Sequence, residues 1–292
     1  MKIIRTPAVM TAWSRRLHRQ GVTIGFVPTM GALHDGHRAL IRAARLRCDA
    51  LVVSIFVNPT QFGPTEDLSK YPRPITKDRA LCRDEGVDTC FEPTPAAMYP
   101  EGFETVVTVP GIARRWEGER RPHHFAGVST VVTKLFGIVR PDVAVFGQKD
   151  FQQAALVRRL IEDLSLGVEL IVHPTIRESD GLAMSSRNVY LSPDERAAAP
   201  ILHRALAAGA AAIRSGETDA DRVRAIMHET LAAQPQAAAE YLVACDPGTL
   251  EPLTTIRSRV VLLGAVRLGP VRLIDNLLVA VQTAPRSKRR RS

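Results

Sequence analysis

The sequence predicts an α/β protein, a doubly wound parallel sheet followed by a smaller α+β domain, and three observations carry that expectation. Over roughly the first 175 residues, short apolar runs alternate with amphipathic stretches of helical length, the texture of a parallel sheet covered on both faces. The apolar runs end in polar loops rich in Gly, Pro, Asn and His. After about Pro174 the texture changes to Ala-rich helices and then to short strand-like runs. The layout is Rossmann-like, with a first domain over 1–175, a second over 176–283 that serves as a lid, and a basic tail over 284–292.

Strands are expected at Thr23–Pro28, Ala50–Val57, Asp88–Phe91, Asp142–Phe146 and Val168–Val172, where β-branched and aromatic residues cluster between turn formers. The intervening helices are expected at Gly36–Arg47, Lys77–Glu85, Ser129–Val139 and Asp150–Leu164, each bounded by Gly, Pro or Asp. In the second region, helices fall near Pro193–Ser215 and Asp219–Ala233, and strands at Tyr241–Ala244, Val260–Leu263 and Val271–Leu273.

Composition narrows the class. The 292 residues are 45% hydrophobic and 24% charged, an ordinary balance for a globular chain. No apolar run reaches the roughly 20 residues a membrane span needs, and the N-terminal MKIIRTPAVMTAWSRR is too broken by charge for a secretory segment, so a cytoplasmic protein is expected. Cys48, Cys82, Cys90 and Cys245 form no C-x-x-C pair and no zinc-like grouping with histidine; Cys48 and Cys90, in largely apolar surroundings, read as buried free thiols, and a disulfide is not expected. The net charge of +9 is concentrated: Arg286, Lys288, Arg289, Arg290 and Arg291 leave only +4 for the body. A tail of this kind is usually solvated, and the remaining excess suits anionic small substrates.

In an open parallel sheet, ligands bind beyond the carboxyl ends of the strands. Those ends here carry PTMGALHDGH, NPTQF, EPT, GQKD and HPTIRESDG, five polar loops at one edge. In the first loop Gly31 permits a tight turn, and His34 and His37 share one side of the opening helical turn. Free N–H groups at a helix start favour phosphate, and two imidazoles there can donate hydrogen bonds to it, although an isolated H-x-x-H also occurs as a structural or metal-binding pair. Neither a Walker loop nor a dinucleotide fingerprint is present. In the fourth loop Gly147 allows close approach, Lys149 can meet polyphosphate, and Asp150 either caps the next helix or holds a ribose hydroxyl. One of Gln152 and Gln153 should face the site. Met184, Ser185, Ser186 and Arg187 form a compact phosphate clamp beside the Asp180–Gly181 turn, placed by this reading on the second domain. Asn58 and Gln61 suit a hydroxylated carboxylate, while Asn58-Pro59 alone reads as a turn.

These stretches resemble the pantothenate synthetase (pantoate–β-alanine ligase) family, within the nucleotidyltransferase superfamily that carries HIGH-like and KMSKS-like signatures. The resemblance rests on FVPTMGALHDGH, VSIFVNPTQFGPTEDLSKYPR, RPHHFAGVSTVVTKLF, VFGQKDFQQ, IRESDGLAMSSRNVYLSP and RLGPVRLIDN, which occur in the family's order over most of the chain. It implies an ATP-dependent, AMP-forming ligase that joins pantoate to β-alanine through a pantoyl adenylate, uses Mg²⁺ with ATP, and is dimeric. By the same resemblance, ATP would lie on Met30, Gly31, Ala32, Leu33, His34, Asp35, Gly36 and His37, on Gly147, Gln148, Lys149 and Asp150, on Ile176 beside adenine, and on Met184 to Arg187. His37 falls on the family's proposed proton donor. Gln61 and Gln153 would hold pantoate, with Gln61 also near β-alanine, and Asn58, Thr29 and Pro28 complete the substrate side. Two positions depart from the family pattern: His123 stands where R-P-G-H-F has Gly, and Ala97 where an acidic residue is common. The rival readings are a nucleotidyltransferase acting on a phosphorylated acceptor and, from the tail alone, a nucleic-acid-binding or regulatory module.

Overall fold

A computed structural model describes residues 1–64 and 66–281, so the basic tail expected over 284–292 lies outside the described residues. The chain forms two compact units. Met1–Glu178 and Ala183–Val189 make the first, and Ser179–Leu182 with the chain from Tyr190 onward make the second.

The first unit is built on six parallel strands: β1 (Lys2–Ile4), β2 (Ile24–Thr29), β3 (Ala50–Ile55), β4 (Thr89–Phe91), β5 (Val143–Gly147) and β6 (Glu169–His173). Their order across the sheet is β1-β4-β3-β2-β5-β6. The major helices are α1 (Pro7–Arg19), α2 (Asp35–Arg45), α3 (Ile75–Asp84), α7 (His124–Val139) and α8 (Phe151–Asp163), with single-turn helices α4 (Pro95–Met98), α5 (Pro110–Ala113) and α6 (Glu117–Arg120) between α3 and α7. Successive residues of β2 show why its apolar run is continuous. Val27 packs with Ile41 and Ala44 of α2, whereas Phe26 meets Phe136 of α7 edge-on at 6.4 Å. Both faces of the strand are therefore covered.

β2 is the switch point of the sheet, since it pairs with β3 on one side and with β5 on the other. Loops leaving such a pair of strands diverge, and a crevice opens between them at the carboxyl edge. β1 and α1 were not anticipated. A three-residue strand gives almost no periodic signal, and it is fixed by pairing with β4. Helix α7 starts five residues before the expected Ser129, and the added stretch carries the buried Phe125 and Val128.

The second unit contains α9 (Pro193–Ala198), α10 (Ile201–Arg214) and α11 (Ala220–Ala232) and a three-stranded antiparallel sheet of β7 (Ala237–Cys245), β8 (Arg259–Leu268) and β9 (Val271–Ala280) in sequential order. The expected helix near Pro193–Ser215 is two helices. Pro200 lacks the N–H that a continuous helix would need, so the axis breaks there. All three strands run longer than expected, because hairpin pairing extends them past their apolar centres. Leu202, Leu206, Val223, Met227, Leu262 and Val266 form the core of this unit. Its helix α9 carries a full capping box, Ser192 accepting from Glu195 N–H while the Glu195 side chain receives Ser192 N–H.

Cys82, Cys90 and Cys245 are buried, Cys48 is half-buried, and all four are free thiols. No helix among the described residues is long and apolar enough to cross a membrane.

Candidate active site

A cavity in the first unit sits at the carboxyl edge of β2, β3 and β5 and gathers residues from across the sequence. Its wall includes Pro28, Thr29, Met30, His34, Gly36 and His37 from the first loop and Asn58 and Gln61 from the second. Gly147, Lys149, Asp150 and Gln153 come from the fourth, and Ile176, Met184, Ser185, Ser186 and Arg187 from the last stretch. Gly31, Ala32, Leu33, Asp35 and Gln148 are absent from that wall, and so is the EPT segment: Glu92 is engaged instead by the guanidinium of Arg79 at 2.8 and 2.7 Å.

The first loop is a strained turn held from outside. Gly31 has φ +83° and Ala32 has φ +51°, both in the left-handed region, which costs a residue with a side chain about 1–2 kcal/mol. The carboxylate of Asp78, 2% exposed on α3, compensates by accepting the N–H groups of Ala32 at 3.0 Å and Leu33 at 2.8 Å. Burial pushes the Asp78 carboxyl up, and those two donors pull against it.

From that turn the chain enters α2 through a cap made of two histidines. His34 Nδ1 accepts the N–H of Gly36 at 3.1 Å, and His37 Nδ1 accepts the N–H of His34 at 3.3 Å. A backbone N–H only donates, so in both rings Nδ1 is unprotonated and Nε2 carries the proton. The rings lie 4.2 Å apart. Burial, together with Lys149, lowers His34, and burial with His34 lowers His37 to about 3. Both rings are therefore neutral donors of an Nε2–H, with no charge to disperse before an anion arrives.

Asp150 stands at the start of α8 but makes no capping hydrogen bond. Its carboxylate lies 3.5 Å from Lys149 Nζ, and although burial raises its pKa, Lys149 and Arg187 outweigh that and hold it ionised. Of the two glutamines that follow, Gln153 lines the cavity. Gln152 is structural: its amide donates to the carbonyls of Ile112 and Arg115 at 2.8 Å and accepts the N–H of Glu117 at 3.2 Å.

The Met184–Arg187 segment belongs to the first unit rather than to the second, where the sequence alone places it, because Ala183–Val189 returns to pack there. Arg187 is oriented by a two-point pair with Asp67, Nε to Oδ2 at 3.1 Å and Nη2 to Oδ1 at 2.9 Å. Ser186 hydrogen-bonds Tyr71, whose hydroxyl burial pushes up. Asp180, by contrast, lies in the second unit and pairs with Arg196.

Sequence reasoning missed several wall residues. Arg121, His124 and Tyr71 sit in the motifs that carry the family resemblance, yet none was assigned a place in the site. Arg121 forms a two-point pair with Glu66 at 2.9 and 2.6 Å and donates to the Gln61 carbonyl at 3.4 Å. His124 Nδ1 donates to that same carbonyl at 3.0 Å, leaving Nε2 to accept from Arg121 at 3.3 Å. Burial, with Arg121 beside it, lowers His124 to about 4. The motif spacing signalled this pair, but its partner is a main-chain carbonyl, which sequence does not mark. His123, the departure from the family pattern, is exposed and outside the cavity wall.

Val128, Val131, Val132 and Leu135 of α7, with Phe56 and Phe146, form an apolar wall facing these polar groups. The cavity thus pairs an anion-binding side, with neutral imidazole donors, Lys149 and Arg187, with an apolar side, and the amides of Asn58, Gln61 and Gln153 also line it.

A family model described as pantoate-beta-alanine ligase matches residues 2–278. A pantothenate synthetase of Heliobacterium modesticaldum is 53% identical over 281 residues, 96% of this chain and all of that protein. The crystal structure of pantothenate synthetase from Thermus thermophilus has a TM-score of 0.90 at 46% identity, covering 95% of this chain and 99% of its own. That of pantoate-beta-alanine ligase from Francisella tularensis, complexed with beta-gamma ATP and beta-alanine, has a TM-score of 0.77 at 33% identity, covering 98% of this chain and 99% of its own.

Proposed function

Because the chain belongs to the pantoate–β-alanine ligase family, we propose that this cavity activates the pantoate carboxylate as an adenylate and then passes the acyl group to β-alanine. The chain is an ATP-dependent ligase that condenses pantoate with β-alanine. The observation that carries the mechanistic reading is the meeting of His34, His37, Lys149 and Ser185–Arg187 in one cavity beside Gln61 and Gln153.

A free carboxylate is a poor electrophile, so activation comes first. A carboxylate oxygen of pantoate attacks the α-phosphorus, the bond to the leaving pyrophosphate breaks, and pantoyl adenylate forms. The Nε2–H groups of His34 and His37, the ammonium of Lys149, the hydroxyls of Ser185 and Ser186 and the guanidinium of Arg187 hold the phosphoryl oxygens as charge shifts toward pyrophosphate. Met30 and Gly36 line the same side, and Gly31, Ala32, Leu33, Asp35 and Gln148 act through the turns they build. Ile176 lies where adenine would pack, next to Thr175, whose buried Oγ1 has no partner among the described residues. Gln61 and Gln153 hold pantoate, with Pro28 and Thr29 behind it, and the apolar wall takes its carbon skeleton. In the second step the amine of β-alanine attacks the activated carbonyl, the carbon–oxygen bond to AMP breaks, and the amine gives up a proton to yield the amide.

Magnesium would arrive with the nucleotide. Among the described residues no cluster of three His, Cys, Asp or Glu side chains forms a cage. Asp150 is the one carboxylate in the cavity wall, and this suits an ion that takes its remaining ligands from phosphate and water. Its role is to neutralise polyphosphate charge. The reading extends to a cytoplasmic homodimer that acts on small molecules, without nucleic acid or membrane partners; sedimentation of the purified chain tests the dimer.

The deciding experiment is incubation with ATP, Mg²⁺, pantoate and β-alanine, followed by mass detection of products. Pantothenate with AMP in equal amounts is expected. A stable nucleotidyl product, or no AMP, would reject the reading.

A further inference from the structure

Asn58 is 1% exposed, and its side chain is fully occupied within the protein. Oδ1 accepts from the Tyr99 hydroxyl at 2.7 Å, from Thr60 Oγ1 at 3.0 Å and from the Thr60 N–H at 3.4 Å. Nδ2 donates to the Gly127 carbonyl at 3.2 Å and to Oε1 of Gln61 at 3.2 Å. The Thr60 N–H can only donate and the Gly127 carbonyl can only accept, so the amide cannot be reversed without losing both.

The consequence falls on Gln61. With Oε1 committed to Asn58, its other end, the NH₂, is what the cavity meets, where its partner is the weak acceptor Sδ of Met30 at 3.1 Å. An NH₂ there favours a substrate oxygen that accepts, a carboxylate or hydroxyl oxygen, and rejects a donor. The shortest of the contacts on Asn58 is that from the hydroxyl of Tyr99. Tyr99 itself is outside the cavity wall, with its ring against Phe56 at 6.3 Å and Phe103 at 5.1 Å.

We propose that Tyr99 is a positioning residue which, through Asn58, fixes the donor end of the Gln61 amide toward the cavity and so tunes the site for an oxyacid. This rests on the reading of Gln61 as a pantoate contact given above. Neighbouring hydrogen bonds in such a chain also polarise one another, so the outermost hydroxyl affects the innermost amide.

Tyr99→Phe tests it, because phenylalanine keeps the ring packing and removes only the O–H. The readout is the KM for pantoate and for ATP, with the thermal midpoint as a check on folding. Loss of one neutral hydrogen bond corresponds to about a five-fold rise in the pantoate KM, with the ATP KM within about two-fold. In an Asn58→Ala background, Tyr99→Phe should add nothing further, since its effect passes through Asn58; if that background does not fold, Tyr99→Phe alone decides. An unchanged pantoate KM, equal rises in both KM values, or full additivity in the double variant overturns the proposal. An unmodified chain that makes no pantothenate rejects the site reading and this relay together. An active chain with an indifferent Tyr99→Phe rejects the relay alone.

Discussion

Asp78 and Leu33 are 45 residues apart in sequence, yet Oδ1 of Asp78 accepts the Leu33 N–H at 2.8 Å, and Oδ2 takes the neighbouring Ala32 N–H. This contact holds a left-handed turn immediately before His34. Asp78→Ala strands two partly buried donors, and a lost charged hydrogen bond is worth about 1.5–3 kcal/mol. The expected result is a lower urea midpoint together with reduced kcat, because the histidine cap loses its approach. A variant with unaltered stability and turnover would show that the turn holds itself.

Lys149 is the lysine in the cavity wall and lies 3.5 Å from Asp150. Removing one preorganised contact to a phosphoryl transition state typically costs about 3–4 kcal/mol. Lys149→Ala should therefore lower pyrophosphate release by at least roughly 100-fold with an unchanged melting curve. Near-normal turnover would remove Lys149 from the mechanism.

The low pKa of His37, about 3 against 6.5 for an ordinary histidine, has two readouts. Between those values the unfolded chain binds a proton that the folded chain does not. His37 therefore contributes a stability that is present above about pH 6.5 and is lost as pH falls toward 3. His37→Gln should flatten the dependence of Tm on pH in that window. The ring is also neutral over roughly pH 5 to 8, so His37→Gln should lower kcat/KM without changing the shape of its pH profile. Disappearance of an acidic limb would mean that His37 titrates during the reaction.

Gln152 and Gln153 are neighbours with opposite duties. Gln152 bonds three main-chain groups, so Gln152→Ala should lower Tm and affect the pantoate KM little. Gln153→Ala should leave Tm alone and raise the pantoate KM about ten-fold, the worth of one lost hydrogen bond to a charged group at its lower end. Thermal melts and steady-state kinetics on the pair decide it, and a swapped pattern would reject the assignment.

What sequence made legible was local and periodic. The runs that became β2, β3 and β5 are apolar on both faces, and their polar ends hold His34, His37, Asn58, Gln61, Lys149 and Asp150 of the cavity wall. What it hid was long-range. Asp78, Asp67 and Tyr99 are ordinary residues in their own surroundings, and each matters through one contact made across many residues of chain. For Asp150 the sequence allows a helix cap or a ribose contact; no capping hydrogen bond forms, and its carboxylate lies by Lys149. The spacing puts both histidines on one side of their turn, and the rings lie 4.2 Å apart, yet their mutual capping, and with it the tautomer of each ring, depends on main-chain geometry.

The return of Ala183–Val189 to the first unit sets a limit on dissection of the gene. A fragment ending at Glu178 would lack Met184, Ser185, Ser186 and Arg187, and so one wall of the cavity. A fragment extended to Val189 regains that wall but carries Ser179–Leu182, including Leu182, which packs in the other core. Recombination between relatives at a single crossover near residue 178 therefore separates Ser185 and Ser186 from the histidines that line the same cavity, and productive exchange requires the two breakpoints to travel together.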